Sequence, residues 1–220
     1  MRTRFMQGLD ELKHKLLRMG GMVEQAIERA CEAYRLQDGK LAQSVLNGEA
    51  AVNEMEREID EFSLDLLAMQ QPMAVDLRFI IACTKINADL ERVGDQAVNI
   101  AERVLDLNSL APIDVAIDIP RMAEAASGMV RTALESFIRE DSELAETVLE
   151  KDDQLDAINH ENFGVALQKI AMEPDKARQA MDILIISRNL ERVGDHATNI
   201  AEDVIFWVKG ADVRHMGPHN

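Results

Sequence analysis

Apolar residues recur every three or four positions along almost the whole chain, and no segment alternates apolar and polar residues as a half-buried strand would. Between Val52 and Met69, the residues Val52, Met55, Ile59, Phe62, Leu66 and Met69 form a heptad-like seam of the kind that packs helices in a bundle. Breaks fall near Asp38-Gly39 and at Gln71-Pro72. Asp38 and Asp141 stand where N-caps belong, and Pro72, Pro120 and Pro174 fit first-turn positions, where a missing N–H costs nothing. This spacing predicts six helices, at roughly 4–36, 40–70, 73–108, 119–139, 142–171 and 174–209.

The six divide into two similar threes. Leu90 to Val104 reads LERVGDQAVNIAERV and Leu190 to Val204 reads LERVGDHATNIAEDV, differing only at Gln96/His196, Val98/Thr198 and Arg103/Asp203. More loosely, Leu41, Ala42, Val45 and Leu46 correspond to Leu144, Ala145, Val148 and Leu149, and Arg78 to Arg178. The expected fold class is all-α: two tandem, pseudo-twofold-related three-helix bundles. The first repeat is expected at 1–108, a linker at 109–118, the second repeat at 119–210 and a flexible tail at 211–220.

Apolar core positions tolerate exchange at similar volume, so near-identity confined to one segment points to its polar side chains. At 100° per residue, Ile86, Leu90, Val93, Ala97, Ile100 and Val104 form a core stripe on the third helix. Glu91, Asp95, Asn99 and Glu102 gather on the opposite side, and Glu191, Asp195, Asn199 and Glu202 do so on the sixth. Each half is thus expected to carry a ridge of oxygen ligands pointing away from its own core. Carboxylates one turn apart repel, and a hard cation removes that repulsion by taking several oxygens at once. The candidate metal ligands are Glu91, Asp95, Asn99, Glu191, Asp195 and Asn199, either around a shared groove or at separate ions. Oxygen donors favour Mg, Mn, Ca or Fe, and Zn also accepts carboxylates. The plain alternative is a solvated acidic face.

Gly94 and Gly194 interrupt these helices at about 1 kcal/mol each relative to Ala, which implies either close approach of another backbone or a partner beside the acidic ridge, or tight helix packing with no ligand. Arg92 and Arg192 are expected to pair locally with acids; His196, beside Asp195, is read as a helix-surface histidine. No HExxH, Gly-rich phosphate loop, Ser/His/Asp arrangement or paired Glu-x-x-His motifs of a di-iron bundle are present, and no nucleophile has a base beside it, so no enzyme is expected.

Charge and cysteine use narrow the setting. A net charge of −16 repels nucleic-acid backbones and anionic lipid and favours cations or a partner with a basic face. Cys31 and Cys83 sit in apolar helical patterns and read as buried, reduced thiols of a cytoplasmic protein. No apolar run of about 18 residues is present, so direct membrane insertion is not expected.

The blocks QQPMAVDLR (Gln70 to Arg78), LERVGDQAVNIAE (Leu90 to Glu102) and NLERVGDHATNIAEDV with FWVKG (Asn189 to Gly210) closely resemble the PhoU family, bacterial accessory regulators of phosphate uptake. The resemblance covers essentially the whole chain. It implies a non-catalytic adaptor that signals phosphate sufficiency between a Pst-type phosphate ABC transporter, through its ATPase component, and a phosphate-sensing histidine kinase. It places the family's E(D)xxxD signature on Glu91 with Asp95 and on Glu191 with Asp195, where members carry metal clusters; Asn99 and Asn199 continue that stripe. The expected cofactor is a divalent metal (Mg, Mn, Fe or Zn), and a second copy is expected as partner in a homodimer. Two other readings use the same carboxylates: a metal-dependent enzyme or metal store, and a structural scaffold whose ridges form a dimer interface.

Overall fold

The computed structural model describes residues 2–70 and 72–210. Its helices are α1 (Arg2–Leu36), α2 (Gly39–Gln70), α3 (Ala74–Asn108), α4 (Ile119–Arg139), α5 (Ser142–Met172) and α6 (Ala177–Lys209), with a 3₁₀ turn at Pro174–Lys176; no strand occurs among the described residues. These limits lie within about three residues of those the periodicity predicts, an ordinary difference for helix ends. The tail expected at 211–220 lies outside the described residues.

Local chemistry explains where the helices start. Asp38 Oδ1 accepts from Lys40 N at 2.8 Å and Leu41 N at 3.1 Å, and Asp141 Oδ1 accepts from Glu143 N and Leu144 N, each at 3.0 Å. Both aspartates thereby satisfy amides that a helix start leaves unpaired. Asp118 caps α4 by accepting from Arg121 N, and Pro120 sits in the first turn. Pro174 opens the 3₁₀ turn before α6, whereas Pro72 lies one residue outside the N-cap of α3, Met73. Between α3 and α4 the chain is irregular but anchored: Ile117 and Ile119 are buried, and Gln179 Nε2 donates to Ala111 O at 3.3 Å.

The apolar stripes build one continuous core. Ile86, Leu90, Val93, Ala97 and Ile100 of α3 are fully buried, as are their counterparts Ile186, Leu190, Val193, Ala197 and Ile200 of α6. Each buried aliphatic side chain contributes about 1.5–3 kcal/mol, so these two stripes are a large part of the driving force. In the α2 seam Val52, Met55, Ile59 and Leu66 are buried and Phe62 packs partly against them; the side chain of Met69 lies outside the described set.

The packing follows the duplication. Helices α1 and α2 pack with α3, and α4 and α5 with α6, while α3 meets α6 and α1 meets α4 across the pseudo-twofold axis. Among the described residues α2 touches only α1 and α3, and α5 touches only α4, α6 and the 3₁₀ turn. The middle helix of each repeat is therefore a flank, outside the central layer of α1, α3, α4 and α6. At one end Phe79, Phe137 and Trp207, from α3, α4 and α6, close the centre with ring centroids 5.0–5.9 Å apart.

Candidate functional site

The two glycines determine how closely each flanking helix approaches the repeated motif. A Cβ on Gly94 would lie 3.2 Å from Val52 Cγ1 of α2 and 3.5 Å from Val23 Cγ1 of α1. On Gly194 it would lie 2.5 Å from Leu155 Cδ2 of α5 and 3.5 Å from Asp152 Oδ1. Of the two explanations for these glycines, the close approach is that of a helix from the same repeat. Val52 and Leu155 are themselves equivalent, separated by the same offset as Leu41 and Leu144.

This approach brings a second set of acids against the motif. In the first repeat Glu49 and Glu56 of α2 face Glu91 and Asp95 of α3, with Asp60 beside Glu56; in the second, Asp152 and Asp156 of α5 face Glu191 and Asp195 of α6. Burial, then like-charge repulsion, raises Glu56, Glu91, Asp152, Glu191 and Asp195 above their ordinary range. Glu91 is raised by burial and by Asp95 and Glu56, and Glu56 by burial, Asp60 and Asp95. Glu191 and Asp195 are raised by burial and by neighbouring aspartates, and Asp152, pressed by Asp156 and Asp195 as well as by burial, is pushed up to about 6.

Some of these side chains are held in place. Asn87 Nδ2 donates to Asp60 Oδ1 at 2.9 Å, and Arg188 Nη1 lies 3.4 Å from Glu191 Oε1. Glu191 Oε2 is buried with no hydrogen-bond partner, an arrangement that is costly unless a cation is near. Among the described residues no three His, Cys, Asp or Glu side chains already enclose a metal-sized point. The carboxylates stand apart, as uncompensated like charges do, but the donors are all hard oxygens on two facing helices. That donor set suits an oxygen-preferring divalent cation.

The ridge forms one wall of a shallow cleft in each repeat, between the motif helix and its flanking helix, with Glu91, Asp95 and Glu191 half-buried and Asp195 exposed. Among the described residues α2 and α5 do not touch, and each ridge faces the acids of its own flanking helix rather than the other ridge. Asn199 leaves the stripe altogether. Its Nδ2 donates to Asp89 Oδ1 of α3 at 3.1 Å, since a residue eight positions past Glu191 is rotated about 80° around the helix. His196, expected at the surface, is mostly buried in the same α3–α6 seam, and its Nδ1 donates to Asp89 Oδ1 at 2.9 Å. Arg92 pairs locally as expected, 3.8 Å from Asp89. Asn99 is half-buried, and Glu102 is exposed beside Arg103.

The differences between the motif copies now have a location. Of the three, Gln96/His196 and Arg103/Asp203 fall in the α3–α6 seam, where Arg103 Nη1 lies 3.4 Å from Asp182 Oδ1 and Lys85 Nζ 3.5 Å from Asp203 Oδ1. A pseudo-twofold seam built from identical strips would set like charges symmetrically, whereas these exchanges give each buried acid a basic partner from the other repeat. Two of the three differences thus fall where the repeats meet; the third, Val98/Thr198, lies beside the first cleft, where Val98 shares a pocket with Glu49 and Asp95, and the cleft acids of the motif are unchanged.

The α2 and α5 acids were missed because they read as a solvated face. A signal was present nonetheless: Glu56 with Asp60, and Asp152 with Asp156, have the one-turn spacing of Glu91 with Asp95 and Glu191 with Asp195. No described helix is long and apolar enough to cross a membrane.

The chain matches the PhoU domain family over residues 16–104 and 119–204, one match per repeat. It is 39% identical over 215 residues to a phosphate-specific transport system accessory protein PhoU homolog of Pseudomonas putida, covering 95% of this chain and 82% of that one. It is 35% identical over 208 residues to the homolog of Aquifex aeolicus, covering 94% of each. The crystal structure of PhoU from Pseudomonas aeruginosa superposes with a TM-score of 0.91 at 36% identity, covering 94% of this chain and all of that one. The phosphate transport system regulatory protein PhoU from Streptococcus pneumoniae superposes with a TM-score of 0.85 at 27% identity, over 95% of this chain and 99% of that one. With both repeats matched and relatives aligned along nearly their full length, this chain belongs to the PhoU family.

Proposed function

We propose that this protein is a cytosolic, non-catalytic regulator of phosphate uptake and phosphate-regulon signalling. In this reading it is an adaptor between a Pst-type phosphate ABC transporter, at its ATPase component, and the transporter's sensor histidine kinase. The observation that carries the transport role is the match, along nearly the whole chain, to accessory proteins of phosphate-specific transport. The adaptor role fits a molecule whose unusual chemistry lies in clefts near the surface.

Divalent cations belong to the same proposal. Glu91 and Asp95 with Glu49, Glu56 and Asp60 would hold one site, and Glu191 and Asp195 with Asp152 and Asp156 the other. The raised carboxyls and the unpartnered Glu191 Oε2 support this, because a cation would relieve both. Asn99 would be a subsidiary ligand of the first site, whereas Asn199, its amide engaged by Asp89 across the repeats, is set aside from the second. Such an ion would supply charge neutralisation and would lock the flanking helix to the motif helix. A homodimer, tested by sedimentation, completes the proposal.

Deleting the gene tests the signalling role. Phosphate-starvation genes should become constitutive in phosphate-rich medium, and normal repression in the deletion strain would sink the idea. Pull-down of the intact protein under high and low phosphate, read by mass spectrometry, should recover the transporter ATPase and the kinase.

A further inference from the structure

A groove of about 600 Å³ runs between α5 and α6, floored by Phe163, Ile185 and the half-buried Leu184 and ending at Asp156 and Glu191. Phe163 is 50% exposed and Ile185 38%. One turn further towards the α5–α6 connection, Leu167 is 50% and Met181 44% exposed, so two apolar rows flank the groove on antiparallel helices. Single exposed apolar residues are ordinary, but four large ones along one groove are the usual mark of a contact surface.

The first repeat lacks this feature. By the offsets that align the repeats, Asp60 stands where α5 has Phe163, and Lys85 where α6 has Ile185. Both are engaged within the molecule, Asp60 by Asn87 and Lys85 by Asp203. Leu64, which aligns with Leu167, is exposed as well, so the repeats differ at the floor of the groove, where only the second has the apolar pair Phe163 and Ile185.

The groove has a direction. Its end near Leu167 and Met181 is apolar, and its other end holds Asp156 and Glu191, with Arg188 turned to Glu191 at 3.4 Å and Asp152 and Asp195 beyond, on a chain of net charge −16. From Leu167 to Asp152 is about 22 Å along α5, the length of a helix of about four turns. Helix-in-groove recognition reads apolar anchors at one-turn spacing, and the acidic end supplies complementarity for basic side chains.

We infer that this groove docks an amphipathic helix of a partner protein, with an apolar half seated on Phe163 and Ile185 and a Lys/Arg-rich half beside Asp156. The inference rests on the adaptor reading, naming a surface through which it would operate. Because the groove and the second acidic cleft share Asp156 and Glu191, divalent cations and the basic half of the partner compete.

The test uses the full-length protein and a fluorescent 16-residue peptide with a Leu/Ala-rich first half and a Lys/Arg-rich second half, beside a scrambled peptide of identical composition. The ordered peptide should bind at least tenfold tighter than the scrambled one by fluorescence anisotropy. That preference should fall below threefold in Phe163→Ser with Ile185→Ser, which leaves net charge unchanged, and Mn²⁺ should weaken the ordered peptide. Hydrogen exchange on the unmodified protein should show peptide-dependent protection confined to α5 and the first half of α6, a readout that does not depend on the variant folding. Equal affinity for both peptides, or a preference that survives the double substitution, overturns the proposal. So does a dimer that the double substitution converts to monomer, which would make the groove a self-association face. Constitutive starvation genes in the deletion strain, together with no peptide preference, would remove the groove and leave the adaptor standing; repression in that strain with an intact preference would do the reverse.

Discussion

Replacing Asp152 by Asn should stabilise the metal-free protein while weakening its hold on metal. Burial, Asp156 and Asp195 push the Asp152 carboxyl up to about 6, from an ordinary 3.8. A carboxyl whose folded value is raised costs stability while it is ionised; the cost is present above about pH 6 and is relieved as pH falls through 6 towards 3.8. At full strength such a difference is worth about 3 kcal/mol. Asp152 is only half-buried, so solvent screening reduces it to about 1 kcal/mol. For a chain of this length that is a rise of about 2–4 °C in Tm. Thermal melts by circular dichroism on EDTA-treated protein should show Asp152→Asn melting higher than wild type at pH 7.5, with the gap closing by pH 4.5 and shrinking in high salt. Added Mn²⁺ should reverse the order at pH 7.5 by stabilising wild type more. A variant no more stable than wild type at pH 7.5, or a gap unchanged at pH 4.5, would refute the argument that like-charge crowding in the cleft is real.

Three further outcomes test the packing around the clefts. Gly194→Ala should destabilise by about 1–2 kcal/mol in urea melts, because its Cβ would meet Leu155 at 2.5 Å in a filled interior; Gly94→Ala, with 3.2 Å to Val52, should be close to neutral as helix propensity offsets the contact. Asp89→Ala removes the acceptor shared by His196 and Asn199 and should cost about 1–3 kcal/mol in the same assay, where a value near zero would show the seam to be slack. Burial pushes the Cys31 thiol up to about 12 and raises Cys83 as well, so iodoacetamide at pH 8 should label neither in the native protein and both in urea, as mass spectrometry would show.

How far the chain was legible depended on which physical rule governed each residue. The stripes of α3 and α6 and the caps at Asp38 and Asp141 obey local periodicity and local hydrogen bonding, which is why six helices could be placed from spacing alone. The glycines announced close approach by their helix cost, but only the fold shows that Val52 and Leu155 are what approaches. Glu91, Asp95, Glu191 and Asp195 stood out because they recur. Asp152, Asp156, Glu56 and Asp60 sit on helices whose copies drifted, and nothing local separates a cleft-facing acid from a solvated one. His196 and Asn199 were misplaced for a related reason: an angle around one helix says which residues share a face, not which neighbour covers it. Asp89, the acceptor they share, comes from the other repeat.

Metal content most directly tests the central claim, that acids from two facing helices in each repeat make a divalent-cation site. Protein stripped with chelator should be titrated with Mn²⁺, Zn²⁺ and Fe²⁺ and the bound metal counted by element analysis, for wild type, Asp95→Ala with Asp195→Ala, and Asp152→Ala with Asp156→Ala. The expected result is binding that falls at least tenfold in affinity in the first variant and drops at the second-repeat site alone in the other. Unchanged stoichiometry and affinity in both variants would contradict it.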